Sequence, residues 1–348
     1  MDFFGAQEQA KQRTGIAIIL FVLAVVLTAL GVYAAYTMAM HYDSPLWYRA
    51  PIDSFDLATF LWCVGGTVAV ILGGTFFKVA ELSGGGLSVA QSVGARAIDR
   101  NTQDEQERIL LNVVEEMSLA SGYSVPQVGV LDDEPEINAF AAAISPRDAV
   151  VVVTRGTLNY LNREELQAVI GHEFSHLLNG DCKLNIQLAG WIWGLFLVSI
   201  MGRFALNSAS GGGSSDRRRG AVAFMIFGFA LLVIGSVGFF FGRVIQALIS
   251  RQREFLADAS SVQFTRNPQA MVMALAKIQA GSQIEHHHAA GLAHFFFATS
   301  GMNGIDLMAT HPPLEKRMAA IDPNYGQLVA NIQLPIIEKE PAAPEDAV

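Results

Sequence analysis

The stretch from Asn162 to Gly180 reads NREELQAVIGHEFSHLLNG and predicts a single, mostly buried helix. Asn162 followed by Glu165 is a capping-box signal for its start, and Gly180 is a stop signal for its end. His172 and His176 are four residues apart, so both imidazoles project from one face of the helix. Polar side chains on such a helix need a partner, because burying them alone is costly.

The two imidazoles are spaced to bind one zinc ion, at about 2.0–2.1 Å from each ring nitrogen. Glu173 lies beside His172 and can reach a water that the metal activates without becoming a ligand. We therefore assign Glu173 as the general base for attack on a peptide carbonyl. The competing interpretation is a chance H-E-x-x-H on a surface helix, and the apolar flanks of the motif favour the metal.

A catalytic zinc site needs a third protein ligand and keeps a fourth position open. Glu254 is the best candidate for that ligand, in the sequence RQREFLAD from Arg251 to Asp258. Asp258 lies four residues further on, on the same helical face, and can orient a liganding histidine through its free ring nitrogen. The alternative is an ordinary acidic pair on a solvated helix, which the preceding motif makes less attractive.

The composition points to a membrane protein. Of 348 residues, 51% are hydrophobic and only 16% are charged, whereas a soluble domain carries about a quarter charged residues. The formal net charge is −9, which gives no support to a nucleic-acid partner. The two cysteines, Cys63 and Cys182, cannot build a disulfide framework, and Cys182 is a remote candidate for a metal ligand.

Two uncharged apolar runs, Gly15–Tyr36 and Leu57–Phe77, are each long enough to span a bilayer as a helix. A signal peptide is the rival interpretation of the first run, and the second run argues against it. The glycines of the second run suit close helix packing in lipid; they are Gly65, Gly66, Gly73 and Gly74. Basic residues flank this pair, with Arg49 alone in the loop between the runs, so positive-inside counting puts the N-terminus and the region after residue 80 in the cytoplasm.

Two further apolar runs, Leu188–Met201 and Ala221–Val244, predict a second membrane hairpin, and the first of them is marginal in length. The basic cluster Arg217–Arg219 between them opposes the positive-inside rule if both runs span. A re-entrant hairpin would remove that conflict. We favour four spans, and thus a mainly α membrane protein with about four transmembrane helices.

The remaining segments predict a folded domain with a small sheet. Residues 81–95 resemble a linker, and Thr102 with Glu105 is a capping-box signal for an amphipathic helix ended by Gly122. The other predicted elements are strands at Gln127–Leu131, Ile137–Ala142 and Ala149–Thr154, and helices at Arg251–Phe264 and Gln269–Ala280. The predicted units are a membrane hairpin (1–80), a first protease part (81–187), a second hairpin (188–247), a second protease part (248–322) and a disordered tail (323–348).

The motifs together resemble the HtpX-type membrane metalloproteases, which are related to the CAAX prenyl and Oma-type proteases. The resemblance covers about residues 75–322 and depends on His172–His176, Glu254–Asp258 and His311-Pro312-Pro313 with Arg317. It implies one zinc ion per chain on His172, His176 and Glu254, with Glu173 as base, in a gluzincin-like α+β domain. It also implies a protease of membrane-protein quality control in the bacterial inner membrane, with its active site facing the cytoplasm.

The resemblance also indicates how substrate binds. Residues 137–141 match the family's edge-strand motif, in which Asn138, Ala139 and Phe140 would bind polypeptide through main-chain hydrogen bonds. His311 is expected to stabilise the tetrahedral oxyanion, with Arg317 as its support or as an ion-pair partner.

Some features lie outside the family pattern, and other functions compete. His286–His288 and His294 could form a second metal site or a pH-sensitive loop, and a solvated loop is the simpler interpretation. A membrane scaffold with a closed, structural zinc site would need a fourth ligand from Cys182 or from His286–His288. A transporter would need ionisable residues within the spans, and the four runs lack charged residues apart from Arg243 at the end of the fourth. Lipid and polypeptide are the expected partners, whereas substrate identity and oligomeric state are not legible in the sequence.

Overall fold

A computed structural model of the chain describes residues 3–40, 56–209, 215–281 and 309–330. Within these ranges, long helices form a membrane part, and shorter helices with a four-stranded sheet form a second part. The elements are α1 (Phe3–Met40), α2 (Leu57–Leu82), α3 (Gly86–Ser92), β1 (Arg96–Ala97), α4 (Glu105–Ser121), β2 (Gln127–Leu131), β3 (Ala139–Ala142), β4 (Val150–Thr154), α5 (Arg155–Tyr160), α6 (Arg163–Asn179), α7 (Asp181–Ala209), α8 (Ser215–Thr265), α9 (Pro268–Gly281), α10 (Leu314–Ile321) and α11 (Tyr325–Val329).

Four of the described helices are long and apolar enough to cross a membrane, by length and composition. They are α1, α2, α7 and α8, which confirms the count of four. The third candidate span is longer than the predicted apolar run Leu188–Met201. Helix α7 begins at Asp181 and continues to Ala209 without a break. Apolar side chains facing away from the bundle are widely exposed on these helices, as expected for surfaces that contact lipid.

Glycines bring the membrane helices close together, but only one of the four singled out by sequence takes part. Of the four in α2, only Gly74 meets a neighbour, since a Cβ at this position would lie 3.3 Å from the Gly194 Cα of α7. For Gly65, Gly66 and Gly73, no described atom lies within 4 Å of a Cβ, so these glycines serve no packing role within the described ranges. Helix packing depends on the partner helix, which one helix's sequence does not identify.

Helix α8 corrects the predicted break after the fourth apolar run. Arg251–Phe264 is not a separate helix, because a single helix of 51 residues runs from Ser215 to Thr265. Helix α8 therefore contains both the fourth span and, further along, Glu254 and Asp258. The side chains of the basic cluster Arg217–Arg219 lie outside the described residues.

The sheet has the strand order β1-β2-β4-β3, with β2 and β4 parallel and both outer pairings antiparallel. The strand predicted at Ile137–Ala142 is confirmed for Ala139–Ala142, and β3 lies at the edge of the sheet as expected. The two-residue β1 was not predicted, because so short a strand has no periodicity to detect. β4 is buried along its whole length, which fits its unbroken run of four valines.

Helix α4 packs its apolar stripe on the sheet and on α6. Leu110, Val113, Val114 and Met117 are at most 2% exposed, and burying each contributes about 1.5–3 kcal/mol before entropic costs. The predicted capping box of Thr102 with Glu105 is wrong. Asp104 caps this helix instead by accepting from the Gln106 and Glu107 amides, and the Thr102 hydroxyl donates to Glu107. Gly122 ends the helix in the left-handed conformation, as predicted.

Two further segments are more ordered than predicted. The proposed linker at 81–95 contains α3, whose Gly86 packs so closely that a Cβ would lie 2.3 Å from the Ala142 carbonyl oxygen. The prediction of a disordered tail from residue 323 is wrong at the start of the tail, because α11 forms at Tyr325–Val329 and packs on the hydrophobic core shared by the sheet, α4 and α6. The Pro-rich end of the tail lies outside the described residues, as do His286–His288 and His294.

Candidate metal centre

Helix α6 begins and ends as its sequence predicts. The Asn162 side chain accepts from the Glu165 amide, and the Glu165 carboxylate accepts from the Asn162 amide, which completes the capping box. The helix ends at Gly180, whose φ is +68°. Between these ends it is almost wholly buried, with His172 at 0% and Glu173 at 3% exposure.

Helix α8 crosses α6 closely and brings the third candidate ligand to the histidines. A Cβ on Gly171 would meet Ser261 at 3.1 Å, and the Ser261 hydroxyl donates to the Ala168 carbonyl at 2.5 Å. This crossing places Glu254 Oε2 3.6 Å from His172 Nε2, and Glu254 Oε1 3.6 Å from His176 Nε2. The predicted ligand set is therefore gathered in one place.

The gathered atoms fit a metal ion. The ligand atoms of His172, His176 and Glu254 all lie within 4.8 Å of one another. Two atoms about 2.0–2.1 Å from one tetrahedral ion are about 3.3 Å apart, close to the separations seen. Among the described residues these are the only three that form such a group.

The two imidazoles themselves indicate a cation between them. Their Nε2 atoms are 3.0 Å apart, and both Nδ1 atoms face carboxylates, which favours hydrogen on Nδ1 and lone pairs on both Nε2 atoms. Two facing lone pairs repel unless a proton or a metal ion sits between them. Burial lowers the pKa of His172 to about 4, whereas for His176 the hydrogen bond to Asp181 and the neighbouring carboxylates outweigh burial and raise the pKa to about 9.

Glu173 has the environment of a general base. Burial raises its pKa to about 7, near the value at which a carboxylate can both take and return a proton at neutral pH. Its carboxylate faces the Ala141 backbone amide of the edge strand as well as the metal ligands. The predicted base is therefore located between the ligand cluster and the strand predicted to bind substrate.

Asp258 lies where the sequence predicted, behind His172. Its Oδ1 is 2.9 Å from His172 Nδ1, so the carboxylate can accept the ring hydrogen and fix the tautomer. Arg317, predicted as oxyanion support or as an ion-pair partner, is the latter. It is 0% exposed, donates through Nε to Asp258 Oδ2 at 2.9 Å, and places Nη1 3.0 Å from Glu254 Oε2. It therefore contacts both acidic residues of α8 at the site, Glu254 and Asp258.

His176 has an equivalent carboxylate partner that the sequence patterns did not reveal. Asp181 Oδ2 lies 2.8 Å from His176 Nδ1, and Asp181 Oδ1 lies 3.0 Å from Arg253 Nη1. The sequence signal for this partner is the aspartate directly after Gly180. Because a glycine at this position normally marks the end of a helical motif, the residue that follows it was not predicted to be part of the site.

His311 reaches the cluster from the segment before α10. Its Nδ1 lies 3.2 Å from Glu254 Oε1, and within the described residues its buried Nε2 has no hydrogen-bond partner. The segment is held by Arg251, whose Nε donates to the Ala309 carbonyl at 2.9 Å. The ring is thus fixed beside the ligands, and it could donate to an oxyanion when Nε2 carries hydrogen.

The edge strand presents different residues from those predicted. The Asn138 carbonyl accepts from the Thr154 amide, so by strand alternation Phe140 also turns its main chain towards β4. The Phe140 side chain is 1% exposed and packs in the core between sheet and α3. The main chains of Ala139 and Ala141 therefore point away from β4, whereas that of Phe140 does not. The Ala141 amide bonds to Glu173 and its carbonyl accepts from Cys182, so the carbonyl of Ala139 is the group on this edge that a substrate strand could reach.

Cys182 is not a ligand in this arrangement. Its thiol donates to the Ala141 carbonyl at 3.4 Å, and it is absent from the ligand group. Of the two sources proposed for a fourth structural ligand, one is thus excluded from the cluster, and His286–His288 lie outside the described residues. Two histidines and one glutamate are a ligand set that catalytic zinc sites use.

The fold and this site together define a class, the membrane-embedded metallopeptidases. Four described helices can cross a membrane, and one of them, α8, brings Glu254 to the two histidines of α6, with the Glu173 carboxylate beside them. Comparison with known proteins specifies the family.

Residues 104–324 match the family model described as Peptidase family M48, so the chain belongs to that family. A "Protease HtpX homolog" from Bacteroides fragilis is 31% identical over 338 residues, covering 92% of this chain and 99% of that protein. A "Protease HtpX homolog" from Streptococcus thermophilus is 35% identical over 261 residues, covering 73% and 85% respectively. The chain is thus an integral-membrane metalloprotease that hydrolyses polypeptides.

A solved structure, that of S. mikatae Ste24p, overlaps 90% of this chain and 66% of that one. The TM-score is 0.44 and the sequence identity is 15%. Both values are too low for this likeness to support a conclusion about fold or function.

Proposed function

We propose that this protein is a zinc-dependent endopeptidase that cleaves misfolded or membrane-anchored polypeptides at the cytoplasmic face of a bacterial inner membrane. The observation that carries the proposal is the convergence of His172, His176 and Glu254 within 4.8 Å, with Glu173 beside them. Two nitrogens and one carboxylate are a ligand set typical of catalytic zinc. When bound, zinc would supply Lewis acidity towards a water molecule and the substrate carbonyl.

The protein's own groups divide the remaining work. Glu173 takes a proton from the attacking water and returns it to the amine of the leaving peptide. His311 donates from its imidazole to the oxyanion that develops on the carbonyl oxygen. Ala139 binds the substrate main chain at the outer edge of β3, which leaves side-chain specificity low. Such sequence-tolerant binding suits a protease that clears many different damaged proteins.

The decisive experiment compares wild type with Glu173→Gln in detergent, with Glu116→Gln as the matched control. Glu116 lies on α4 and pairs with Arg163, away from the cluster. We expect Glu173→Gln to bind stoichiometric zinc and to keep its melting temperature, with kcat reduced by at least about 10²-fold. Glu116→Gln should cleave like wild type. Wild-type rates in Glu173→Gln would refute the mechanism, and full zinc with no cleavage in the wild type would favour a structural metal.

The quality-control role has its own test, which uses one membrane protein in native and destabilised forms. Main-chain binding requires an extended segment, so we expect cleavage of the destabilised form to exceed that of the native form by at least about tenfold, in line with the greater exposure of unfolded backbone. Equal rates on both forms would argue against quality control while leaving the protease activity intact.

Membrane orientation is supported by the basic residues that flank the first two spans, and it can be tested by labelling. Leu119 is 86% exposed on α4, so Leu119→Cys provides a reporter on the protease part. We expect Leu119→Cys to resist an impermeant maleimide in intact cells and to react after lysis. Ser44→Cys, in the loop between the first two runs, should react in intact cells. The reverse pattern would place the active site outside the cytoplasm.

A further inference from the structure

A one-residue turn joins the zinc-ligand helix to a membrane helix. Helix α6 ends at Asn179, Gly180 adopts a φ of +68°, and α7 begins at Asp181. No described atom lies within 4 Å of a Cβ on Gly180, so the positive φ, rather than lack of space, is the reason for glycine there. The short turn returns the chain towards His176, five residues upstream of Asp181.

This return places a carboxylate behind the second histidine. Asp181 Oδ2 lies 2.8 Å from His176 Nδ1, and Asp181 is 3% exposed. A carboxylate oxygen at this position can accept the hydrogen of Nδ1 and leave Nε2 free for a metal.

The other oxygen of Asp181 is held by α8. Asp181 Oδ1 lies 3.0 Å from Arg253 Nη1, and Arg253 immediately precedes the ligand Glu254. One residue pair thus joins the start of one spanning helix to the ligand-bearing turn of another. The same helices touch again within the membrane part, where a Cβ on Gly202 of α7 would lie 2.3 Å from the Leu232 amide of α8.

The arrangement repeats what surrounds the first histidine. His172 is backed by Asp258, which is held by the buried Arg317. His176 is backed by Asp181, which is held by Arg253. The difference is that Asp181 and Arg253 both belong to the membrane helices α7 and α8, so the second histidine depends on how those helices pack.

We infer that Asp181 and Arg253 form a positioning pair that orients His176 and makes zinc affinity depend on the packing of α7 against α8. The inference rests on the proposed zinc site. It concerns affinity for the metal and assigns neither residue a contact with substrate.

The test measures zinc dissociation constants in detergent by competition with a chromophoric chelator. We expect Asp181→Asn to bind zinc about 10- to 100-fold more weakly, as is typical when the partner of a liganding histidine is lost. Arg253→Gln should weaken binding in the same direction, and the double variant should be no weaker than Asp181→Asn alone, because the two act as one unit. Gly180→Ala, which keeps every polar side chain, should also weaken binding.

The matched control is Asp132→Asn. Asp132 is likewise an ion-paired aspartate, with its Oδ2 2.7 Å from Arg96 Nε, but it lies outside the ligand cluster. Its loss should change thermal stability without changing zinc affinity. A second readout is the visible spectrum of the cobalt-substituted protein, which should shift in Asp181→Asn and remain unchanged in Asp132→Asn.

The outcomes separate this inference from the proposed function. If wild type binds zinc and Asp181→Asn binds it equally well, the positioning pair is refuted and the protease assignment stands. If wild type binds no zinc, the proposed function fails first. If Asp181→Asn does not fold, Arg253→Gln and Gly180→Ala decide the matter, and wild-type affinity in both would overturn the inference.

Discussion

Arg317 Nη2 lies 2.6 Å from Asp258 Oδ1, the same oxygen that lies 2.9 Å from His172 Nδ1. One carboxylate oxygen is thus shared between a guanidinium and an imidazole. Arg317 also reaches Glu254, so a single buried cation faces two carboxylates and neutralises much of their charge. The acidic half of the metal site is stable in the protein interior because this arginine is there.

Replacing Arg317 should therefore destabilise the fold as well as the site. We expect Arg317→Met to lower the free energy of unfolding by about 3–5 kcal/mol, because it leaves two buried carboxylates without their cation. Arg317→Lys should rescue little, since a single ammonium cannot reproduce the forked contacts to both carboxylates. Thermal and denaturant unfolding of the two variants would measure this. A stability loss below about 1 kcal/mol in Arg317→Met would contradict it.

His311 should affect turnover and not metal content. We expect His311→Ala to lower kcat by about 10²-fold, because a donor to the oxyanion is lost, while zinc content and KM stay near wild type. Steady-state kinetics with metal analysis would separate these quantities. Loss of zinc in His311→Ala would show instead that its contact with Glu254 holds the ligand in place.

Substrate binding along β3 should depend on alternate backbone amides. Residues of a bound strand point their amides alternately towards and away from the edge. We expect N-methylation of a peptide at the position facing the Ala139 carbonyl to raise KM by about tenfold, the loss of roughly 1–1.5 kcal/mol for one hydrogen bond. The same peptide methylated one residue further along serves as the control. Equal effects in both registers would argue against strand addition.

Close helix packing should make Gly194 sensitive and Gly73 tolerant. A Cβ on Gly194 would lie 2.4 Å from the Ile71 carbonyl oxygen of α2, whereas no described atom lies within 4 Å of one on Gly73. We expect Gly194→Ala to lower the melting temperature in detergent, with a cost of about 1–3 kcal/mol from overpacking. Gly73→Ala should be neutral or slightly stabilising, because alanine favours helix. A melting temperature unchanged in Gly194→Ala would show that α2 and α7 can separate freely.

Local signals predicted the parts of this protein that depend on neighbouring residues in the chain. The capping box of α6, its glycine stop and the i,i+4 histidines are all of this kind, and the structure has them as expected. Glu254 and Asp258 were placed from a second motif. Asp181 was missed because its role appears only when α7 turns back onto α6, and the face presented by Phe140 depends on its pairing with β4. Such relationships depend on contacts across elements, which no local pattern encodes.

The unbroken course of α8 sets a distance that substrates must cover. Glu254 lies about 15 Å along the helix axis beyond Val244, where the fourth apolar run ends, at a rise of about 1.5 Å per residue. An extended chain covers about 3.3–3.6 Å per residue, so about four or five residues are needed to cross that gap. A polypeptide anchored in the same bilayer could then be cut only beyond a short juxtamembrane stalk. Helix α8 thus sets a minimum distance between the lipid and the cleavage site, and peptide bonds closer to the lipid would not reach Glu173.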